Sequence, residues 1–232
     1  MRLCISTAQR DKIIKTINNY EADIYIFPEC ALTGYGNNEF INACDIKSFG
    51  KNTFLGASIE ESDGRYNEYL MINKNGNIYK YKKTHLGINE KKIYKKGSEL
   101  TLFNVDGVCF GVGICIESHM PELTQALCEN GAEVMIYPFA TPKACGSRKN
   151  IWNKYMKARA YDNNVFVIAT NLYGGIMVIG PKGDTKIEDY VRDAAVIDID
   201  IDEVHRLRNS EKKNFNKRLD KEALKKVSKY GI

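Results

Sequence analysis

Short apolar runs bounded by turn residues recur along the whole chain, and they limit the folds that it can adopt. Five of these runs predict buried strands: LCISTAQ (3–9), DIYIF (23–27), VMIY (134–137), VFVIATN (165–171) and AAVIDIDI (194–201). Three longer segments predict hairpins: 69–86, which turns at Asn75-Gly76, 101–115, which turns at Asp106-Gly107, and 176–187. Because Asn and Gly both tolerate positive φ, Asn75-Gly76 predicts a tight type I′ turn.

Helical patterns separate some of these strands. Ile13, Ile17 and Tyr20 fall on one face of a predicted short helix between the first two strands. Two further helices are predicted, one that begins near Pro121 and stops at Gly131 and one over residues 151–163. Hairpins mixed with strand–helix–strand units indicate an α+β fold in which helices cover large sheets.

The composition is that of a globular protein with one domain. The chain has 232 residues, of which 44% are apolar and 27% are charged, and no repeat or Pro/Ser-rich linker divides it. No apolar run approaches the roughly 20 residues that span a bilayer. The N-terminal MRLCISTAQRDK lacks the apolar core of a secretory signal. We therefore expect a single domain over residues 1–204, a cytoplasmic location and no membrane partner.

The net charge of +5 comes from the C-terminal segment. Residues 205–232 contain ten Lys or Arg and three Asp or Glu, a local charge of +7, so the other 204 residues sum to −2. This distribution argues against a basic groove for nucleic acid across the fold. We predict that residues 205–232 form a solvated, helical extension, with contact to anions or nucleic acid as the alternative.

The cysteines and histidines give no metal or disulfide pattern. The seven cysteines stand at positions 4, 30, 44, 109, 115, 128 and 145, and no C-x-x-C pair occurs. The three histidines, at positions 85, 119 and 205, have no metal-ligand spacing with them. We expect thiols in a reducing compartment, most of them small buried hydrophobes, and no metal site.

Cys115 is a candidate nucleophile. It ends the apolar run GVGIC and precedes the helix predicted near Pro121, whose N-terminal dipole favours a nearby negative charge. Taken alone, a cysteine after such a run is more often a core residue. His119 follows four positions later, and it fits a helix cap or a pocket wall better than a catalytic partner of Cys115.

Three further residues are candidates for catalysis, each with a plainer alternative. Glu29 follows an apolar strand and a proline, where a carboxylate with a raised pKa can act as a general base, although a surface-loop glutamate fits too. Lys83 follows the second strand of the first hairpin, where lysines also protect an exposed sheet edge. Glu90, in NEKKIYKKG, is the weakest of these candidates when taken alone.

Together these residues resemble the nitrilase, or carbon–nitrogen hydrolase, superfamily over nearly the whole chain. FPE (27–29) resembles its base motif, KTHL (83–86) its lysine motif and GICIESHMPE (113–122) its nucleophile motif. Further similar segments are Glu90 followed by Gly97, GAEVMIYPFATP (131–142), KARAYDNNVFVIATN (157–171), GPKGD (180–184) and AVIDIDIDEV (195–204). Any one of these motifs arises by chance, whereas the set in this order and spacing is specific.

The resemblance implies a four-layer αββα sandwich, usually dimeric, that hydrolyses a non-peptide carbon–nitrogen bond without a cofactor. By this resemblance, Cys115 attacks the carbon of a small linear amide and forms a thioester. Glu29 takes the thiol proton, Lys83 stabilises the negative charge, and Glu90 orients these groups and the substrate nitrogen. N-carbamoyl compounds and nitriles are the alternative substrates.

The same resemblance implies a set of residues around the substrate. The backbone N–H of Ile116 would serve as an oxyanion donor, and the pocket would include His119, Phe139 and Ala140. Segments 10–20 and 36–53 are shorter than the family pattern, which favours a more open pocket. Two other functions stay open: a catalytically silent relative that acts as a binding or assembly module, and an amide-hydrolysing subunit that feeds ammonia to a separate synthetase chain.

Overall fold

The computed structural model describes residues 1–36, 39–142, 146–210 and 214. The strands are β1 (Arg2–Ser6), β2 (Ile24–Ile26), β3 (Ile41–Asn42), β4 (Asn52–Glu61), β5 (Gly64–Ile72), β6 (Ile78–Lys82), β7 (Leu102–Val105), β8 (Val108–Val112), β9 (Val134–Phe139), β10 (Phe166–Asn171), β11 (Ile176–Ile179), β12 (Thr185–Asp189) and β13 (Ala194–Asp198). The α-helices are α1 (Asp11–Asn19), α2 (Pro121–Glu129), α3 (Arg148–Asn163) and α4 (Ile201–Arg208), and short 3₁₀ helices cover Ala43–Asp45, Glu90–Lys92 and Cys115–His119.

The strands form two mixed sheets of similar design. The first has the order β13-β1-β2-β4-β5-β6, with β3 paired to β4, and the second has the order β12-β11-β10-β9-β8-β7. In the first sheet β1, β2 and β4 are parallel, and in the second β8, β9 and β10 are parallel. Antiparallel strands flank both parallel centres. Loops at the carboxyl ends of the parallel strands β2, β8 and β9 supply part of the candidate site, and β5 and the segment after β6 supply the rest.

Three apolar clusters define four layers. The first lies between the sheets, where Phe54 of β4 meets Phe110 of β8 with ring centroids 5.2 Å apart. The second joins α2 and α3 to the outer face of the second sheet, and the third joins Ile13 and Ile17 of α1 to the outer face of the first. The order helix, sheet, sheet, helix confirms the predicted α+β fold and the αββα sandwich.

The first predicted hairpin forms, but its turn differs from the prediction. Gly76 has a φ of 88°, whereas Asn75 does not have a positive φ, so the type I′ assignment is wrong. The Asn73 side-chain oxygen accepts hydrogen bonds from the N–H groups of Asn75 (3.0 Å) and Asn77 (2.9 Å). These bonds fix a longer turn in which Gly76 alone takes the left-handed conformation. The Asp106-Gly107 turn instead has two positive φ values, 50° and 85°.

The helix between the first two strands is shorter than its apolar pattern predicts. Ile13 and Ile17 are buried, but α1 ends at Asn19 and Tyr20 is 40% exposed. The predicted place of Tyr20 on the apolar face is therefore wrong. The Tyr20 carbonyl instead accepts a hydrogen bond of 2.6 Å from the Tyr25 hydroxyl, which fixes the chain where it turns into β2.

Helix α4 crosses the predicted division between residues 204 and 205. Leu207 is buried, and the Arg208 guanidinium donates hydrogen bonds to the carbonyls of Ala132 and Asn163. Residues 211–213 and 215–232 lie outside the described residues, as does Cys145, so the helical extension stays a prediction. Within the described ranges, none of the helices has the length and apolar character needed to cross a membrane.

Candidate active site

Glu29 lies directly after β2 and its side chain is buried, with 1% exposed. A close approach of β4 fixes its backbone, because the Gly56 N–H donates to the Pro28 carbonyl at 3.0 Å. A Cβ at Gly56 would lie 2.3 Å from the Cys30 nitrogen and 2.6 Å from the Glu29 Cα, so only glycine fits there. The FPE motif thus places a carboxylate inside the fold rather than in a surface loop.

Lys83 lies one residue past β6 and is 1% exposed. Its N–H donates to the Asn67 carbonyl of β5 at 2.9 Å, and its carbonyl accepts from the Gly97 N–H at 2.8 Å. A Cβ at Gly97 would lie 2.2 Å from the Lys82 carbonyl oxygen, which explains a glycine at this position. Strand β5 on one side and the segment around Gly97 on the other fix the backbone of Lys83, whose side chain lies inside the fold and not along the exposed sheet edge.

The ammonium of Lys83 joins the two predicted acids. Its Nζ lies 2.9 Å from Glu29 Oε1 and 2.8 Å from Glu90 Oε1, and all three side chains are buried. The second oxygen of Glu90 accepts a hydrogen bond of 2.6 Å from the Gly87 N–H. Burial disfavours the ammonium, but the interactions with Glu29, Cys115 and Glu90 outweigh it and hold the pKa of Lys83 above its usual value. Lys83 therefore stays charged.

Asn67 belongs to this cluster and was not predicted. Its Nδ2 donates to Glu29 Oε1 at 2.7 Å and to Glu90 Oε1 at 3.0 Å. Along β5 it shares a face with Tyr69 and Met71, which lie in the core between the sheets. A polar residue at a core-facing position of an apolar strand was the available signal, but the β5 register had to be known before it could be used.

Cys115 begins the 3₁₀ helix that follows β8, with a φ of 52°. Its Sγ lies 3.6 Å from the Thr141 hydroxyl, just after β9. Burial raises the pKa of Cys115 to about 12, Glu29 adds to the shift, and Lys83 and Thr141 oppose it. Burial and the Glu29 charge thus disfavour the thiolate more than the helix terminus favours it. The thiol is protonated at neutral pH and needs a base to react.

Glu29 has the properties of such a base. Burial raises its pKa, and the charge of Lys83 opposes the rise. Its Oε2 accepts a hydrogen bond of 2.7 Å from the Ala140 N–H, so the carboxylate reaches the loop after β9 as well. Its charge also raises the pKa of Cys115, which shows that the two groups interact. A base and a protonated thiol therefore lie in one buried site.

Glu117 ties together the two loops that carry Lys83 and Cys115. It is fully buried, and its Oε1 accepts from the Tyr81 hydroxyl (2.8 Å), the Thr84 N–H (2.8 Å) and the His85 N–H (2.9 Å). Its Oε2 accepts from the Ile114 N–H at 2.7 Å. Since Thr84 follows Lys83 and Ile114 precedes Cys115, this carboxylate sets the spacing between the lysine and the cysteine.

The predicted pocket residues lie at different depths. Phe139 is buried and packs on Trp152 with ring centroids 5.1 Å apart, whereas Ile116 is 39% exposed. The Ile116 N–H belongs to the first turn of its 3₁₀ helix, where donors lack intrahelical acceptors. His119 is exposed and packs on the Tyr155 ring at 4.6 Å, with no cap hydrogen bond to α2. Their roles in binding substrate stay predictions.

Cavities open on two sides of the buried cluster. One, of about 170 Å³, is lined by Glu90 together with Tyr35 and Tyr94. The other, of about 440 Å³, is lined by Thr141 and extends to Asn171. Thr141 therefore borders this second cavity and also Cys115, whose Sγ lies 3.6 Å from the Thr141 hydroxyl. Within the described part of the chain, no group of three or more His, Cys, Asp or Glu side chains could hold a metal ion.

An αββα sandwich with a buried Glu–Lys pair beside a cysteine defines a class of hydrolase. The family model for carbon-nitrogen hydrolases matches residues 7–209, and the chain belongs to this family, within the nitrilase superfamily. Its enzyme class is therefore that of the carbon–nitrogen hydrolases.

The relatives include several amidases. A deaminated glutathione amidase of Dictyostelium discoideum is 30% identical over 174 residues, which cover 65% of this chain but only 59% of the relative. An omega-amidase of Saccharomyces cerevisiae is 27% identical over 70% of this chain and 69% of the relative. Among solved structures, Saccharomyces cerevisiae Nit3 has a TM-score of 0.73 at 20% identity and covers 91% of this chain and 96% of its own. A mutant of the Nesterenkonia amidase in complex with butyramide has a TM-score of 0.73 at 18% identity, with 90% and 94% covered.

Proposed function

We propose that the protein hydrolyses a small linear amide through a thioester on Cys115 and releases ammonia or an amine. The observation that carries this proposal is the buried cluster in which Lys83 lies 2.9 Å from Glu29 and 2.8 Å from Glu90, with Cys115 close enough to respond to their charges. The amidases among the relatives support an amide substrate.

In the first half of the proposed reaction, the Cys115 sulfur bonds to the amide carbon while its proton passes to Glu29. The amide oxygen takes the negative charge, which the Lys83 ammonium and the Ile116 N–H stabilise. The carbon–nitrogen bond then breaks, the leaving nitrogen takes the proton from Glu29, and ammonia departs. Cys115 is left as a thioester and Glu29 as a carboxylate.

In the second half, water attacks the thioester carbon and gives a proton to Glu29. The carbon–sulfur bond breaks, the acid product leaves, and the sulfur takes the proton back. The raised pKa of Glu29 suits both halves, because a base must also release its proton. Glu90 does not exchange a proton in this scheme, and it orients Lys83 through the 2.8 Å contact.

Four expectations stay predictions beside this proposal. N-carbamoyl compounds and nitriles are the alternative substrate classes, and a silent binding module is the alternative function. A homodimer or higher homo-oligomer is proposed from the family resemblance, and a cytoplasmic location is the expectation from the sequence.

An ammonia assay with a panel of small amides, N-carbamoyl compounds and nitriles tests the proposal. We expect turnover with amides, a mass increase on Cys115 when the acylated enzyme is trapped, and complete loss in Cys115→Ala. Cys109→Ala is the matched control, because Cys109 is also a half-buried free cysteine but lies on β8 away from the cluster. Full activity in Cys115→Ala would reject the nucleophile, and ammonia from no compound in the panel would reject the enzyme function.

A further inference from the structure

We propose that Asn67 is a positioning residue that keeps Glu29 ionised and correctly oriented as the base for Cys115. The inference rests on the proposed function, since it concerns the same site. It adds a neutral side-chain donor to the charged side chains of Glu29, Lys83 and Glu90.

The geometry is a closed ring of four groups. Asn67 Nδ2 donates to Glu29 Oε1 (2.7 Å) and Glu90 Oε1 (3.0 Å). These are the same two oxygens that accept from Lys83 Nζ, at 2.9 and 2.8 Å. The backbone carbonyl of Asn67 also accepts the backbone N–H of Lys83 at 2.9 Å. Asn67 therefore contacts the main chain of Lys83 and also the two acids that pair with its ammonium.

The amide of Asn67 has only one reasonable orientation. If it were flipped, its oxygen would face two carboxylate oxygens, which is repulsive. In the observed orientation both N–H groups are used, and Oδ1 is buried with no hydrogen-bond partner among the described residues. An unpaired buried acceptor costs free energy. The two bonds to the acids are therefore what this side chain contributes at a core-facing position.

The net charge of Glu29, Glu90 and Lys83 explains why a neutral donor such as the Asn67 amide is useful between the two acids. Two carboxylates and one ammonium leave a net charge of −1 in a buried site, which favours protonation of one acid. The amide stabilises both carboxylates and adds no charge. Glu29 and Glu90 accept from two of the three N–H groups of Lys83, so the third is available for the substrate oxygen.

Other ionisable groups that face Glu29 shift its titration too, and the test must separate them from Asn67. They lie in the loop after β2, in the segment from Lys83 to Tyr94 and at the start of the 3₁₀ helix after β8: Cys30, Tyr35, Lys83, Glu90, Tyr94 and Cys115. All of them remain in a variant that changes Asn67 alone. A change in the titration of that variant therefore reports the amide.

The test compares Asn67→Leu with Asn52→Leu. Asn52 is a matched control, because it is a buried asparagine of the same sheet that bonds to Asp106 Oδ2 (2.9 Å) and the Lys74 N–H (3.0 Å), away from the cluster. Carbon-13 NMR of protein labelled at the glutamate carboxyl carbons follows Glu29, assigned from the spectrum of Glu29→Gln. The pH profile of kcat/KM is recorded for each variant with the amide that the wild type hydrolyses.

In Asn67→Leu we expect the Glu29 carboxyl to titrate about one to two pH units higher, the range expected when hydrogen bonds to a charged group are lost. The acid limb of kcat/KM should move upward by the same amount. On the acid side of this limb kcat/KM should fall about 10- to 100-fold, the factor that a shift of one to two units gives, and it should recover toward higher pH. Asn52→Leu should lose stability and keep both titrations. Asn67→Asp, of nearly the same size, should show a larger upward shift, and it serves as the second variant if Asn67→Leu does not fold.

An unchanged Glu29 titration in Asn67→Leu or Asn67→Asp, or an equal shift in Asn52→Leu, would overturn the proposal. Loss of activity by the same factor at every pH would do so as well, because that is the result of a merely structural role. The NMR titration does not depend on turnover. An inactive wild type with the expected NMR shift would therefore reject the amidase function while it supports the role of Asn67.

Discussion

At the scale of single residues, the buried ammonium of Lys83 has to serve two acids and a substrate. Lysine suits this task because its charge is compact and its three N–H donors can each take a different acceptor. Two of them point to Glu29 and Glu90. The neighbouring Lys82 has the same chemistry but pairs with Glu61 on the outer face of the first sheet. Adjacent lysines of one KK pair thus lie on opposite faces of a strand end.

This contrast gives a prediction for Lys83→Met and its control Lys82→Met. Methionine keeps the length of the side chain and removes the charge, so Lys83→Met should lower kcat at least ~10²-fold, the scale of a lost oxyanion donor. Lys82→Met should keep kcat, because its partner Glu61 lies outside the cluster. Steady-state ammonia release measures both variants, and similar losses in the two would contradict the assignment of Lys83.

At the scale of elements, the site depends on how accurately two loops are held against each other. Glu117 accepts hydrogen bonds from Thr84 and His85 on the lysine loop and from Ile114 on the cysteine loop. A glutamine at position 117 would replace one carboxylate oxygen with an NH₂ group, which cannot accept a hydrogen bond from the N–H groups that face it. Buried donors would then lose their acceptor.

We therefore expect Glu117→Gln to lower the free energy of unfolding by about 2 kcal/mol or more, as hydrogen bonds to a buried carboxylate are lost. Its kcat should fall as well, since Lys83 and Cys115 are no longer held at a fixed spacing. Urea unfolding and ammonia release measure the two effects. Glu122→Gln, on the exposed first turn of α2, is the control and should change neither. Unchanged stability in Glu117→Gln would contradict the proposed link between the loops.

The elements also show where prediction from sequence works and where it stops. Asp106-Gly107 was predicted as a turn because local chemistry decides it, and both residues have positive φ. Asn75-Gly76 has the same local signal, but the Asn73 side chain selects a different turn. Asn67 could not be found, because its function depends on contacts with Glu29 and Glu90, 38 and 23 positions away. Local patterns carry no information on such distant pairs.

At the scale of the whole molecule, alternation of side chains along β5 gives the first sheet two different buried environments. Asn67 faces the space between the sheets, and Glu68 faces the outer cluster with Leu70 and Ile72. The apolar pattern predicted an α+β fold with helices over large sheets, and the family resemblance implied the αββα layers. It did not predict that a glutamate in the middle of YNEYLMI would be fully buried on the outer face.

Burial raises the pKa of Glu68 from 4.5 to about 7, with Lys80 and Lys82 opposing the shift and Glu61 adding to it. Because the raised pKa belongs to the folded state, Glu68 contributes its full stability below about pH 4.5 and loses it as the pH rises to about 7. Glu68→Gln stays neutral throughout. The quantity to compare is the free energy of unfolding of Glu68→Gln minus that of the wild type. This difference should be up to about 3 kcal/mol larger at pH 8 than at pH 4.5.

Urea unfolding of both proteins between pH 4.5 and 8 measures this difference, in which groups common to the two proteins, such as Glu29, cancel. Glu60→Gln is the control, because Glu60 is an exposed neighbour on β4 that pairs with Arg65 at 3.1 Å. Its curve should stay parallel to that of the wild type. A Glu68→Gln curve that is also parallel would mean that Glu68 titrates in the folded protein as it does in the unfolded chain. If the curves of Glu68→Gln and the wild type instead approach each other toward low pH, a charged Glu68 destabilises the folded state at neutral pH.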